Sequence, residues 1–185
     1  MWPFTTSNSE PQKGCPYSEG QADTSNPILN KEVSSIPKSS GSNDNWVYPS
    51  QLQFFEAMNR KGHKPNPKDM NTIVPIHNAV NERAWMEIKK WEDGKSDCKV
   101  YLHSFKGRPN DRSPKAWLKT ALGYMPPFDR HDWIIDRCGQ RVRYVIDFYA
   151  GSNKLGLDTP SFYLDVRPAI DDLDSITMRL SRFIM

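Results

Sequence analysis

The chain has 185 residues, enough for one domain with a buried core, and its 25 basic and 22 acidic side chains give a formal charge of only +3. A mean hydropathy of −0.73, with no apolar run near the roughly 20 residues of a membrane-crossing helix, leaves no candidate spanning segment. Three cysteines, Cys15, Cys98 and Cys138, with no CxxC pair, exclude a disulfide-rich scaffold and any zinc site evident from spacing; free thiols are expected, with one disulfide at most.

Residues 1–45 are rich in Ser, Asn, Pro and Gly, carry a net −2, and read as a disordered tail. Their opening, MWPFTTSNSEPQ, has neither the charged start and apolar core of a secretory signal nor the Arg-rich look of a mitochondrial presequence. The body, 46–185, carries +5, a mild surplus suited to an anionic surface or partner, and no nucleic-acid partner is expected from it. From Trp46 the texture turns aromatic. Ser50 is a candidate N-cap for a helix through Lys61, with Leu52, Phe55 and Met58 at helical spacing and Gly62 as the stop. Pro67–Ile73 reads as a helical turn. A long helix follows over Pro75–Trp91, with Pro75 in the first position and Ile76, Val80, Ala84, Ile88 and Trp91 as its apolar stripe.

Residues 99–105 alternate like a strand. Ser113-Pro114 opens a short helix closed by Gly123. The run 132–151 reads as a hairpin, with strands over Trp133–Ile135 and Val142–Tyr149 and the turn at Cys138-Gly139-Gln140. Phe162–Val166 is a further strand. A last helix over Asp171–Phe183 sets Leu173, Ile176, Leu180 and Phe183 at core spacing. The order predicts an α+β fold: a small antiparallel sheet with several helices packed around it, over 46–185.

Few residues here suggest chemistry. His77 stands in the opening turn of the long helix, with Asn81 and Trp85 following on its side. The positive end of the helix dipole would keep its imidazole neutral, the form that ligates a metal; by pattern alone it reads first as a structural histidine. His131 lies between Asp129 and Asp132, where a carboxylate could orient the ring in an acid–base pair or a hydrogen-bonded anchor. Arg137, Arg141 and Arg143 cluster at the hairpin turn, as a solvated basic face or as forks for carboxylates. Cys15-Pro16 in the tail is the kind of dipeptide that offers a thiolate to ferric heme, and equally a chance pairing. There is no GxSxG, P-loop or GxGxxG to support a hydrolase, kinase or dinucleotide reading.

Taken together, NWVYPSQLQFFEAMNRKG (45–62), IHNAVNERAWMEIKKWE (76–92), SPKAWLKTALGYMPPFDRHDWIIDRCGQRVRYVIDFY (113–149) and LDVRPAIDDL (164–173) resemble the holocytochrome c synthases, also called cytochrome c-type heme lyases. The resemblance covers essentially all of 45–175, in order. It implies a lyase that binds heme b and joins its vinyl groups by thioether bonds to the CxxCH cysteines of apocytochrome c or c1. It also implies a place in the mitochondrial intermembrane space, peripheral on the inner membrane, reached through internal signals. By the same resemblance His77 is the axial iron ligand and the catalytic residue. Trp46 and Tyr48 of the WVYPS motif belong to the heme site, as do Glu82, His131 of FDRHDW and Arg137 of the DRCG turn. Cys15 is a lesser heme-binding candidate, because some relatives carry more than one Cys-Pro. The alternative is a non-catalytic heme carrier that delivers heme to an apocytochrome.

Overall fold

Alternating apolar residues in the second half of the chain build a four-stranded antiparallel meander. The computed structural model describes residues 30–39, 44–151 and 161–184, so Cys15 and Pro16 lie outside the described residues. The strands are β3 (Val100–Gly107), β4 (Asp129–Arg137), β5 (Gln140–Ala150) and β6 (Phe162–Pro168), side by side in chain order. Arg137 pairs with Gln140, so the β4–β5 turn is the two residues Cys138-Gly139. Both have positive φ, 52° and 83°, the backbone of a type I′ hairpin. All four expected strands are present; β4 begins four residues earlier than expected, which brings Asp129 and His131 into the ladder.

One face of the sheet carries Trp133, Ile135, Val142, Tyr144, Ile146, Phe148 and Val166, packed against Ala84, Trp85 and Ile88 of a 23-residue helix, α2 (Met70–Glu92). This helix begins a turn and a half before the expected start. Asn66 caps a 3-10 turn, Pro67–Asp69, by accepting from the Lys68 N–H, and that turn runs directly into α2. Pro75 therefore lies inside the helix, and Met70 and Val74 pack on Phe54 of α1 (Gln51–Arg60). Ser50 and Gln53 form the reciprocal capping box that starts α1.

The opposite sheet face is polar. Asp147 accepts from Arg167 and from Ser113, the N-cap of α3 (Pro114–Ala121), at 2.6 Å each. Arg143 pairs with Asp132 and Asp171, and Arg130 with Asp132. The arginine forks of the hairpin region thus engage the chain's own carboxylates.

Three further expectations change. The tail is not featureless up to residue 45: Val33–Pro37 forms β1, paired antiparallel with β2 (Asn45–Val47). A bulge in β3 at His103 accompanies this, and the Leu102 carbonyl accepts from both Ser39 N and the Trp46 indole. The small β1–β2 arm thereby covers the open edge of β3. The apolar stripe of α4 (Leu173–Ile184) does not face the core: Leu173 and Leu180 are exposed, whereas Ser175 and Met178 are buried; the Phe183 side chain is outside the described residues. Two arginines fix that rotation: the buried Arg137 reaches Asp174 and Met178 Sδ, and the half-buried Arg179 donates to the Pro168 carbonyl.

Last, Cys98 and Cys138 are not free thiols but a disulfide with Cα atoms 5.8 Å apart, joining the approach to β3 with the β4–β5 turn. It closes a loop of 40 residues. Reduction, or the pair Cys98→Ser and Cys138→Ser, is expected to lower unfolding free energy by about 4 kcal/mol from chain entropy alone. Urea melts with and without reductant would measure it, and coincident curves would refute the bridge.

Candidate active site

A small pocket, with a cavity volume of about 50 Å³, lies where the β1–β2 arm meets the sheet and α2. Its walls are mostly aromatic and aliphatic: Trp46, Tyr48 and Ile36 from the arm side, Leu102 and Phe105 from β3, and Trp133 from β4, with Asn81 and His131 as polar members. Trp46 and Phe105 meet edge to face at 5.4 Å, and Phe105 and Trp133 lie 6.2 Å apart. The lining is apolar with few polar handles, and a flat macrocycle would need more room than the closed pocket gives. The buried indole N–H of Trp133 has no acceptor among the described residues, which leaves a donor for a polar group of a ligand.

Tyr48 is fixed by Glu82, which accepts from its hydroxyl at 2.9 Å and from Ser35 N at 2.9 Å, and also from Ser35 Oγ. Burial, reinforced by Glu82, pushes the Tyr48 phenol well above its ordinary range, so it stays a neutral donor. One carboxylate on α2 thus ties down β1 and the pocket-lining tyrosine together.

His77 lies directly behind this wall. It is the eighth residue of α2 and 1 % exposed, packed edge to face on Phe54 at 5.2 Å. Asn81 Nδ2 lies 3.2 Å from its Nδ1 and lines the pocket. The expected cause of neutrality does not hold, because the helix N-terminus is two turns away, beyond the reach of its dipole. Burial supplies the effect instead. It drives the His77 pKa down to about 3, His131 adds to the shift, and Asn78 opposes it.

His131 lines the pocket itself, with Nε2 3.4 Å from Asp129 Oδ2 and its ring on Phe148 at 5.0 Å. Arg137 is not brought to the pocket. It stands at the far end of β4, six residues and about 20 Å of strand from His131. There it forks onto Glu92 at 2.6 and 3.0 Å and reaches Asp174 at 2.7 Å. Trp46, Tyr48 and His131 thus meet at one pocket, with His77 and Glu82 in contact with its wall. Sequence reasoning missed Asn81, Phe105, Trp133 and Ile36 as pocket residues. Asn81 had a signal, its i+4 spacing from His77; Ile36 sat in a stretch read as tail.

Among the described residues no group of three or more His, Cys, Asp or Glu side chains could hold a bare metal ion, and no helix is long and apolar enough to cross a membrane. The family model for cytochrome c/c1 heme lyase matches residues 17–101 and 94–183. The chain belongs to the cytochrome c/c1 heme lyase family. A Schizosaccharomyces pombe protein named "Putative holocytochrome-c1 synthase" is 51% identical over 159 residues, which are 80% of this chain and 73% of that protein. The bovine holocytochrome c-type synthase is 46% identical over 158 residues, 81% of this chain and 57% of its own. The holocytochrome-c synthase of Saccharomyces cerevisiae is 35% identical over 227 aligned positions, covering 97% and 83% respectively. The chain therefore spans between about half and four fifths of the length of these relatives. No solved structure matches. Both the expected heme lyase family and its enzyme class, a lyase, stand.

Proposed function

We propose that this heme lyase family member binds heme b in the pocket between the β1–β2 arm, α2 and β4, and attaches it to apocytochrome c or c1. The observation that carries this reading is the lining: Trp46, Phe105 and Trp133 meet at one apolar pocket, which the β1–β2 arm would have to open for a macrocycle, and His77 stands behind it, 3.2 Å from the pocket-lining Asn81. In the reaction a cysteine S–H of the partner's CxxCH segment adds across a heme vinyl group. Sulfur bonds one vinyl carbon and the proton ends on the other. That chemistry asks the protein mainly for placement: a thiol held against a fixed vinyl carbon. His77 would supply a ring nitrogen to hold the heme iron. The Tyr48–Glu82–Ser35 contacts hold the arm that closes the pocket, and Asp129 lies 3.4 Å from His131 on its wall.

This reading includes the intermembrane space of the mitochondrion and a peripheral place on the inner membrane. Exposed Trp117, Leu118 and Leu122 on and just after α3, beside Lys115 and Lys119, support contact with an anionic bilayer surface.

Co-expression with apocytochrome c, and separately with apocytochrome c1, tests the function. Heme that stays on the cytochrome through denaturation is expected from at least one of them. Heme held by this chain with no thioether product would instead make it a carrier, and no heme on either protein would overturn both readings.

A further inference from the structure

We propose that Asn81 is a positioning residue that sets the tautomer of His77 and switches it between a resting and an iron-binding form. The proposal rests on the reading of His77 as axial ligand. Asn81 Nδ2 faces His77 Nδ1 at 3.2 Å, and an amide nitrogen only donates. Nδ1 must then present its lone pair, so the neutral ring carries its proton on Nε2. In that tautomer Nε2 has no lone pair for a metal.

Iron ligation through Nε2 requires the proton on Nδ1, and an acceptor there. Asn81 can provide it without changing its backbone: rotating the amide by half a turn replaces Nδ2 with Oδ1. An amide offers both a donor and an acceptor at one site. Aspartate would accept only, and an apolar residue would do neither. Asn81 lines the pocket, so a ligand entering there meets the amide that must turn. An amide acceptor also pulls less on the Nδ1 proton than a carboxylate would. The resulting ligand is a moderate donor, suited to a heme that must leave with the product.

Nitrogen-15 NMR of the histidine rings in the ligand-free protein at pH 8 reads the tautomer without any heme. The wild type is expected to show His77 as the Nε2–H form, and Asn81→Asp to convert it to the Nδ1–H form. A wild-type Nδ1–H ring would overturn the proposal whether or not the variant folds. In the heme complex, Asn81→Asp is expected to raise the iron–histidine stretching frequency in the ferrous state. It should also hold heme on this chain and cut cytochrome product by about tenfold, while Asn81→Leu cuts heme retention by a similar factor. An iron–histidine frequency identical in wild type and Asn81→Asp would also refute it. If His77→Ala leaves histidine ligation by this chain intact, the ligand reading fails while the tautomer measurement still stands on its own.

Discussion

Glu92→Ala should be the most destabilising single substitution in the chain, costing about 4 kcal/mol and lowering the melting temperature by roughly 10 °C. Glu92 is buried at the end of α2, where it accepts two bonds from Arg137 and a short one from Tyr144. The carboxylate holds the Arg137 proton more tightly than in ordinary arginine, with Asp174 adding to it. Burial, together with Glu92, raises the Tyr144 phenol, so the cluster contains one buried ion pair and one neutral donor. Removing Glu92 leaves a buried guanidinium and a buried hydroxyl with poor alternatives, which is the expensive way to break an ion pair. Glu92→Leu with Arg137→Met should recover most of the loss, because the stranded charge goes too. A loss below 1 kcal/mol for Glu92→Ala in urea unfolding would show that the cluster is not what pins α2 to the hairpin and α4.

The same cluster gives the resemblance-derived importance of Arg137 a physical cause that needs no contact with heme. Arg137→Lys keeps the charge and loses the fork, so it should cost stability and leave the heme spectrum unchanged. An altered spectrum at unchanged melting temperature would instead place Arg137 in the heme site.

Elements fixed by local chemistry were readable. Ser50 with Gln53 and Ser113 with Pro114 announce their helices, and Cys138-Gly139 announces its hairpin, since caps and turns act within a few residues. What escaped depends on distant partners. Pro75 marks a helix start by local rule, yet Met70 and Val74 find Phe54 and extend the helix past it. Leu173 and Leu180 have core spacing, but Arg137 and Arg179 fix the rotation of α4. Ser35 pairs with Glu82 47 residues away, and no periodicity records that contact. The site followed the same division. The His77–Asn81 spacing was visible; the meeting of Trp46, Phe105 and Trp133 required the sheet.

His77→Ala should reduce cytochrome product by two orders of magnitude or more, since loss of a metal ligand exceeds the 10–100-fold typical of its supporting residues. The same variant should lose most of the heme absorbance of the co-purified complex. His77→Gly leaves room for an exogenous ligand, so added imidazole is expected to restore heme binding in part. Normal product from His77→Ala would end the assignment, and rescue failure with an intact fold would weaken the case for direct ligation. The ligand-free protein provides a separate check through acid stability. The unfolded imidazole takes a proton near pH 6.5, whereas the folded one resists until about pH 3. Between those values the unfolded chain binds more protons, so stability rises with pH and is lost as pH falls. From pH 6.5 to 5, above the carboxylate range, this one ring should remove about 1.6 kcal/mol. His77→Leu, which keeps the packing on Phe54, should erase that slope while remaining folded. A slope unchanged by the substitution would mean that His77 is not held neutral by burial, and the neutral ring is the premise of its role as ligand.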